Sequence, residues 1–282
     1  MKQKTSMRII GLCMAVIMML GMLPLGISDS ISVRAAALDV GDPVDAVNAD
    51  GATEAFEITH KLSDLTPNAN GVIELDATYH EKVVLVDTDA SGGIGNIRVA
   101  DGVRVALILN GVTRSSASNA TPDTTLPGGE LRKSPLQLVG SSYVTLVLVD
   151  GTVNTFNCNG SITTTDTAQA GIWVTPNATL RILGQSGNTG ELRANSGPFS
   201  AGIGGGPNQA SGIIRIEGGI VRATNRTLDH ISAGAGNGAG IGAGGGHTAV
   251  GNTSKQIDIR GNAVVFASSA GRAAGIGGGA SN

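Results

Sequence analysis

The sequence predicts an all-β protein, a parallel β-helix (β-solenoid) with three short strands per coil, and three observations predict it. The phrase Ala201-Gly-Ile-Gly-Gly-Gly206 returns as Ala239-Gly-Ile-Gly-Ala-Gly-Gly-Gly246 and Ala274-Gly-Ile-Gly-Gly-Gly279, spaced by 38 and 35 residues. Self-similarity at such a period marks units that bury their apolar faces on one another. Between the phrases lie short segments alternating apolar and polar residues, the pattern of strands with one buried face. The 43 glycines and 2% aromatic content fit a narrow interior of Ile, Val, Leu and Ala, whereas a helix would lose about 1 kcal/mol at each interior glycine. A Gly/Ser linker lacks regular β-branched alternation; a β-sandwich is the other arrangement these strands allow.

At the N-terminus, residues 1–37 read as a signal peptide. Lys2, Lys4 and Arg8 precede an apolar run from Ile9 to Ile27, and Ala35-Ala36-Ala37 supplies a small-residue cleavage site. Gly21 and Pro24 interrupt the run, which favours cleavage over a retained span. Cys13 follows Leu12 rather than a small residue, so a lipoprotein motif is not indicated. The expected mature chain, 38–282, keeps one cysteine, Cys158. It therefore has no internal disulfide, and its stability must come from stacking.

Residues 38–100 read as an acidic N-terminal cap and first coils. Thirteen carboxylates between Leu38 and Asp101 face only Lys61, Lys82 and Arg98. Residues 101–282 carry the glycine-phrase coils. Their strands are Val103–Gly111, Val144–Gly151, Ala178–Gly184, Gly212–Gly219 and Lys255–Gly261, ending at marker glycines 111, 151, 184, 218 and 261. Leu180 and Ile182, Ile214 and Ile216, and Ile257 and Ile259 would face the core, with Arg181, Arg215 and Asp258 in water. A second strand (Glu191-Leu-Arg-Ala194, Ile220-Val-Arg-Ala223) and then the phrase complete each unit. The phrase reads as a glycine-permitted corner anchored by Ile203, Ile241 or Ile276. The chain stops just after a phrase with no polar cap, which reads as truncation of a longer array.

The phrase followed by Gly212–Ala223, of the form G-x-I-x-I-x-G-G-x-V-x-A with Ile213 in the second place, resembles the glycine-rich repeats of large secreted or cell-surface proteins of Gram-positive bacteria. These are described as carbohydrate-binding and β-helical. The resemblance covers 144–282 well and the preceding region loosely. It implies an extracellular, sometimes cell-wall-associated setting and a right-handed parallel β-helix akin to the pectate-lyase superfamily. It implies no catalytic residue.

Glycoside hydrolysis needs two carboxylates across a bond, and lyase chemistry a calcium cluster beside a base. The Asp-Asp, Gly-His-Gly and Arg-Ile-Lys strings of β-helix polygalacturonases are missing; the nearest string is Gly246-His247-Thr248. The histidines 60, 80, 230 and 247 are scattered. Glu74-x-Asp76 and Asp87-x-Asp89 fit no calcium loop and read as a solvated edge, and the phrases lack the Lys-Ser/Thr of a phosphate loop. Leu126-Pro-Gly-Gly129 is a turn rather than a sorting signal. No cofactor, no metal and no nucleic-acid partner is expected, because no dense basic cluster occurs.

Outward arginines remain. Alignment stacks Arg181 on Arg215 and Arg193 on Arg222; it sets Arg215 beside Asp258 and Glu217 beside Arg260, leaving Arg181, Arg193 and Arg222 unpaired to meet carboxylates of an acidic sugar polymer. Trp173, with Tyr79 and Tyr143 behind it, is the candidate stacking ring, although alternation allows it either facing. The sequence thus predicts a secreted, non-catalytic carbohydrate-binding or adhesion module of the bacterial surface, with Arg181, Arg193, Arg222 and Trp173 as contacts and a polysaccharide or surface glycan as partner. The alternatives are a polysaccharide lyase or glycoside hydrolase, marked by carboxylates or carboxylates plus Arg on one outward ladder, and a purely structural stalk.

Overall fold

The computed structural model describes residues 37–69, 71–87, 96–116, 134–158, 169–226, 238–246 and 254–280. Residues 1–36, which the sequence reads as part of a signal peptide, and Asp89, Leu126–Gly129, His230 and His247 lie outside the described residues. Within these residues the chain is all-β, with two single-turn 3-10 segments, Leu62–Asp64 and Ala77–Tyr79, and no α-helix.

Strands fall into three sheets. The first contains β3 (His60–Lys61), β5 (Lys82–Asp87), β7 (Arg104–Asn110), β10 (Tyr143–Leu148), β13 (Thr179–Gly184), β16 (Ser211–Ile216) and β19 (Ser254–Ile259), all parallel. The second contains β8 (Thr113–Ser115), β11 (Val153–Asn157), β14 (Glu191–Ser196), β17 (Ile220–Asn225) and β20 (Val264–Ser269). The third contains β4 (Val72–Leu75), β6 (Asn96–Val99), β9 (Leu136–Leu138), β12 (Ile172–Val174), β15 (Ile203–Gly204), β18 (Ile241–Gly242) and β21 (Ile276–Gly277). From β7 onward the chain visits the sheets in fixed rotation, first, second, third. Each strand pairs with its equivalents one visit earlier and one visit later.

Parallel pairing in constant register turns sequence repeats into columns of like residues. On the inner face of the first sheet Val84, Leu107, Leu146, Ile182, Ile216 and Ile259 lie in line. In the third, Ile73, Ile97, Leu136, Ile172, Ile203, Ile241 and Ile276 do the same. Most of these side chains are fully buried in one continuous core, each stabilising the fold by roughly 1.5–3 kcal/mol. Polar side chains interrupt this interior: Arg114, 1% exposed, occupies the inner column of Phe156, Ala194 and Ala223, and Asn154, 0% exposed, that of Leu192 and Val221.

Each glycine phrase is itself a short strand of the third sheet. Ile203 continues the buried column, and Gly204, Gly242 and Gly277 take φ of 138, 134 and 128. A Cβ on Gly204 would overlap the carbonyl oxygen of Gly242, and one on Gly242 that of Gly277. The layers meet backbone to backbone, which only glycine allows.

The marker glycines differ in conformation. Gly111, Gly151 and Gly261 do sit at left-handed turn positions (φ 77, 71 and 63). Gly184, however, pairs with Leu148 inside the sheet; the left-handed turn residue of that unit is Asn188 (φ 51), and in the next unit it is Gly219.

A hairpin lies over the outer face of the first sheet. Strands β1 (Pro43–Val47) and β2 (Thr53–Glu57) pair antiparallel, and Val47 pairs with Gly184 of β13. Val44, Ala46 and Ile58 pack there on Leu85, Ile108, Val147 and Leu183, all nearly or fully buried. The outer face of this sheet is therefore only partly wet, because it presents an aliphatic column that the hairpin covers.

Candidate functional site

The outer face of the second sheet carries the arginines selected from the sequence. Strands β14 and β17 alternate strictly, with Leu192, Ala194, Val221 and Ala223 inward and fully buried. The intervening residues must point out. Their register is that expected: Thr155, Arg193, Arg222 and Phe266 form one outward row across successive strands. Beside it run Asn157, Asn195, Thr224 and Ser268. Adjacent members stand about 4.8 Å apart, the parallel-strand spacing.

Arg193 and Arg222 are not unpaired, since both reach Glu191. The Arg193 Nε donates to Glu191 Oε1 at 2.7 Å and the Arg222 Nε to the same oxygen at 2.8 Å. The two arginines are 48% and 45% exposed and the glutamate 13%. Burial pushes the Glu191 carboxyl up, but hydrogen bonds from Arg193 and Arg222 outweigh it and hold the group below the usual range. One carboxylate against two guanidiniums leaves one positive charge, and the η nitrogens of both have no protein partner among the described residues. The Arg222 guanidinium also lies 4.2 Å from the ring centroid of Phe266, which is itself 50% exposed.

Chemically this row offers planar donors for carboxylates, an apolar ring, and a flanking line of amides and hydroxyls. Asn195 Nδ2 donates to Asn157 Oδ1 at 2.6 Å and Ser268 Oγ to Thr224 Oγ1 at 3.4 Å. Phe266 was missed from the sequence, yet its signal was present: Ala263-Val-Val-Phe-Ala267 aligns with Gly219-Ile-Val-Arg-Ala223, placing Phe266 on Arg222.

Arg181 and Trp173 sit elsewhere and do other work. Arg181 lies opposite Arg215 as expected, but its guanidinium is clamped by two carboxylates. Its Nη1 and Nη2 donate to Glu54 at 2.7 and 2.8 Å, and its Nε and Nη2 donate to Glu217 at 2.9 Å each. Glu54 comes from the hairpin and Glu217 also accepts from the Ala49 amide at 3.1 Å. Glu217 thus pairs with Arg181, while Arg260 pairs with Asp258 at 3.0 Å. Trp173 is 5% exposed, and its Nε1 donates to Gln209 Oε1 at 3.0 Å. Gly204, the residue paired with Trp173 in the next layer, has no side chain, so the indole can lie across the following glycines; it presents no ring face to solvent. Tyr79 packs partly into the core edge-on to His60, whereas Tyr143 stands on the outer face of the first sheet beneath Arg104.

The Glu54–Arg181–Glu217 cluster has the composition that would mark a carbohydrate-cleaving enzyme. Its electrostatics point to a clasp instead, because hydrogen bonds from Arg181 hold both carboxyls below their ordinary range, and a general acid needs the opposite shift. Among the described residues no group of three or more His, Cys, Asp or Glu is placed to hold a metal ion, and no helix is long and apolar enough to cross a membrane. Comparison with protein-family models, curated proteins and solved structures yields no match to this chain.

Proposed function

We propose that the protein is a secreted, non-catalytic glycan-binding or adhesion module of the bacterial surface, built as a right-handed parallel β-helix. The β-helix reading is supported by the fixed rotation of strands among three parallel sheets and by the unbroken inner columns. Secretion is supported by the leader-like residues 1–37. Glycan binding rests on one observation: Arg193, Arg222 and Phe266 form an outward row with one charge in excess and a polar row beside it. A flat surface of that kind suits an extended acidic polymer, whose carboxylates take arginine forks and whose sugar rings take the aromatic face.

The test is a pull-down of the full chain on immobilised acidic and neutral polysaccharides at several salt concentrations. Capture by acidic polymers, lost in the R193A/R222A variant and weakened in F266A, is the expected result. Capture indifferent to those changes would remove the site, and no capture at all would favour a purely structural role. Fractionation of expressing cells tests the location, with the protein expected in the medium or wall fraction.

A further inference from the structure

A second site lies on a different sheet. Between the hairpin and the outer face of the first sheet runs a cleft of about 310 Å³. Its floor is a column of small side chains crossing three strands, Val83, Ala106 and Thr145, in register. One wall carries Glu81, Arg104 and Tyr143; the other is Phe56 of β2. Arg181, held by Glu54, closes one end. Three rungs span about 10 Å at the usual strand spacing, room for roughly two pyranose rings.

The wall groups are placed rather than incidental. The Arg104 guanidinium carbon lies over the Tyr143 ring, 4.4 Å from its centroid, which holds the side chain at the cleft wall. Its contact with Glu81 is loose, 3.8 Å. Glu81 has a left-handed backbone (φ 57), unusual for a glutamate, and its amide is fixed by donation to the Arg104 carbonyl at 2.7 Å. Strain retained at a charged cleft residue is the kind found where a side chain must be aimed.

We propose that this cleft binds a uronic-acid unit of an acidic oligosaccharide. Its carboxylate meets Arg104, its hydroxyls meet Glu81 and the Thr145 hydroxyl, and its C–H face lies on Phe56. An acidic peptide fits less well, because the floor is mid-sheet, where strand hydrogen bonds are already paired. The proposal shares with the preceding section the reading that this chain meets glycans, but its residues are separate.

The experiment is calorimetric titration of the full chain with tri-galacturonate, neutral galactotriose and hexaglutamate. Tri-galacturonate is expected to bind saturably and the other two at least tenfold more weakly. In the R193A/R222A background, where the surface row cannot contribute, R104M should weaken the acidic trisaccharide at least tenfold and R104K should weaken it less; thermal melts check that each variant folds. No saturable binding, binding unaffected by R104M, or hexaglutamate binding as tightly as the sugar would overturn the proposal. If polymer capture through Arg193 and Arg222 persists meanwhile, the cleft falls and the surface row stands.

Discussion

Replacing Arg181 with methionine should release the hairpin before the sheets come apart. Arg181 is 17% exposed, Glu217 6% and Glu54 32%, so removing the guanidinium strands one nearly buried carboxylate and one that water reaches. Stranding a fully buried charge costs about 3–5 kcal/mol, and the exposed share of Glu54 contributes little. The expected loss is about 2–4 kcal/mol, or roughly 5–15 °C in Tm for a domain of this size. In the wild type, folded-state pKa values of both glutamates lie below their unfolded values. Their stabilisation is therefore fully present above the ordinary glutamate range and is lost as pH falls through the depressed values. In R181M the stranded carboxyls accept protons more readily, so the difference between the proteins should shrink on acidification from pH 7 to pH 4. Adding E217Q to R181M should recover part of the loss, because the buried charge goes with its partner. Thermal melts at both pH values, with hydrogen exchange at β1 amides, measure this. A pH-independent difference under 1 kcal/mol, with β1 still protected, would refute the clasp.

Gly242→Ala should cost roughly 2–6 kcal/mol, from a backbone conformation worth about 1–3 and overlap with the Gly277 carbonyl worth about 1–3. Gly151→Ala, with left-handed φ but open space around it, should cost only about 1–2 kcal/mol; urea midpoints of the pair separate crowding from dihedral strain. Asn225→Ala should lose about 1–3 kcal/mol, since the buried Nδ2 donates to Ser196 Oγ and to the Gly197 and Ser200 carbonyls; Ser200 keeps the bond from Ser196 Oγ at 2.7 Å, whereas the Gly197 carbonyl loses this donor. Glu191→Gln frees the charge on Arg193 and Arg222, so it should tighten capture by acidic polysaccharide and steepen its salt dependence, read by the same pull-down.

Much of the architecture was legible because repetition and alternation encode it directly. Ile-x-Ile strands, the second strands and the glycine phrases all became parallel strands, and Arg193 fell opposite Arg222 by simple alignment. The phrase reads in the sequence both as the third piece of each coil and as a corner, because two residues are too few to show alternation; the stacked register makes Ile203–Gly204 a strand. Partners were less legible than positions. Glu54 is 127 residues from Arg181 in sequence, and nothing in a repeat predicts a non-repeating hairpin lying across it. A trace was present nonetheless. Val83–Val86, Val105–Leu109 and Leu146–Val149 are apolar on both faces, the pattern of strands covered twice, and their second cover is the hairpin. Trp173 was ambiguous for a related reason, its neighbours Ile172 and Val174 both being core residues while its own cover comes from the following layer.

That indole gives the molecule an internal reporter. As the only tryptophan, bonded across two successive layers and shielded from water, it should emit at short wavelength while those layers remain together and shift red when they part. Loss of the hairpin, remote on another sheet, should leave that emission unchanged. Fluorescence and circular dichroism recorded in one melt would then time two separate events, peeling at the N-terminal face and opening between β12 and β15, without any label.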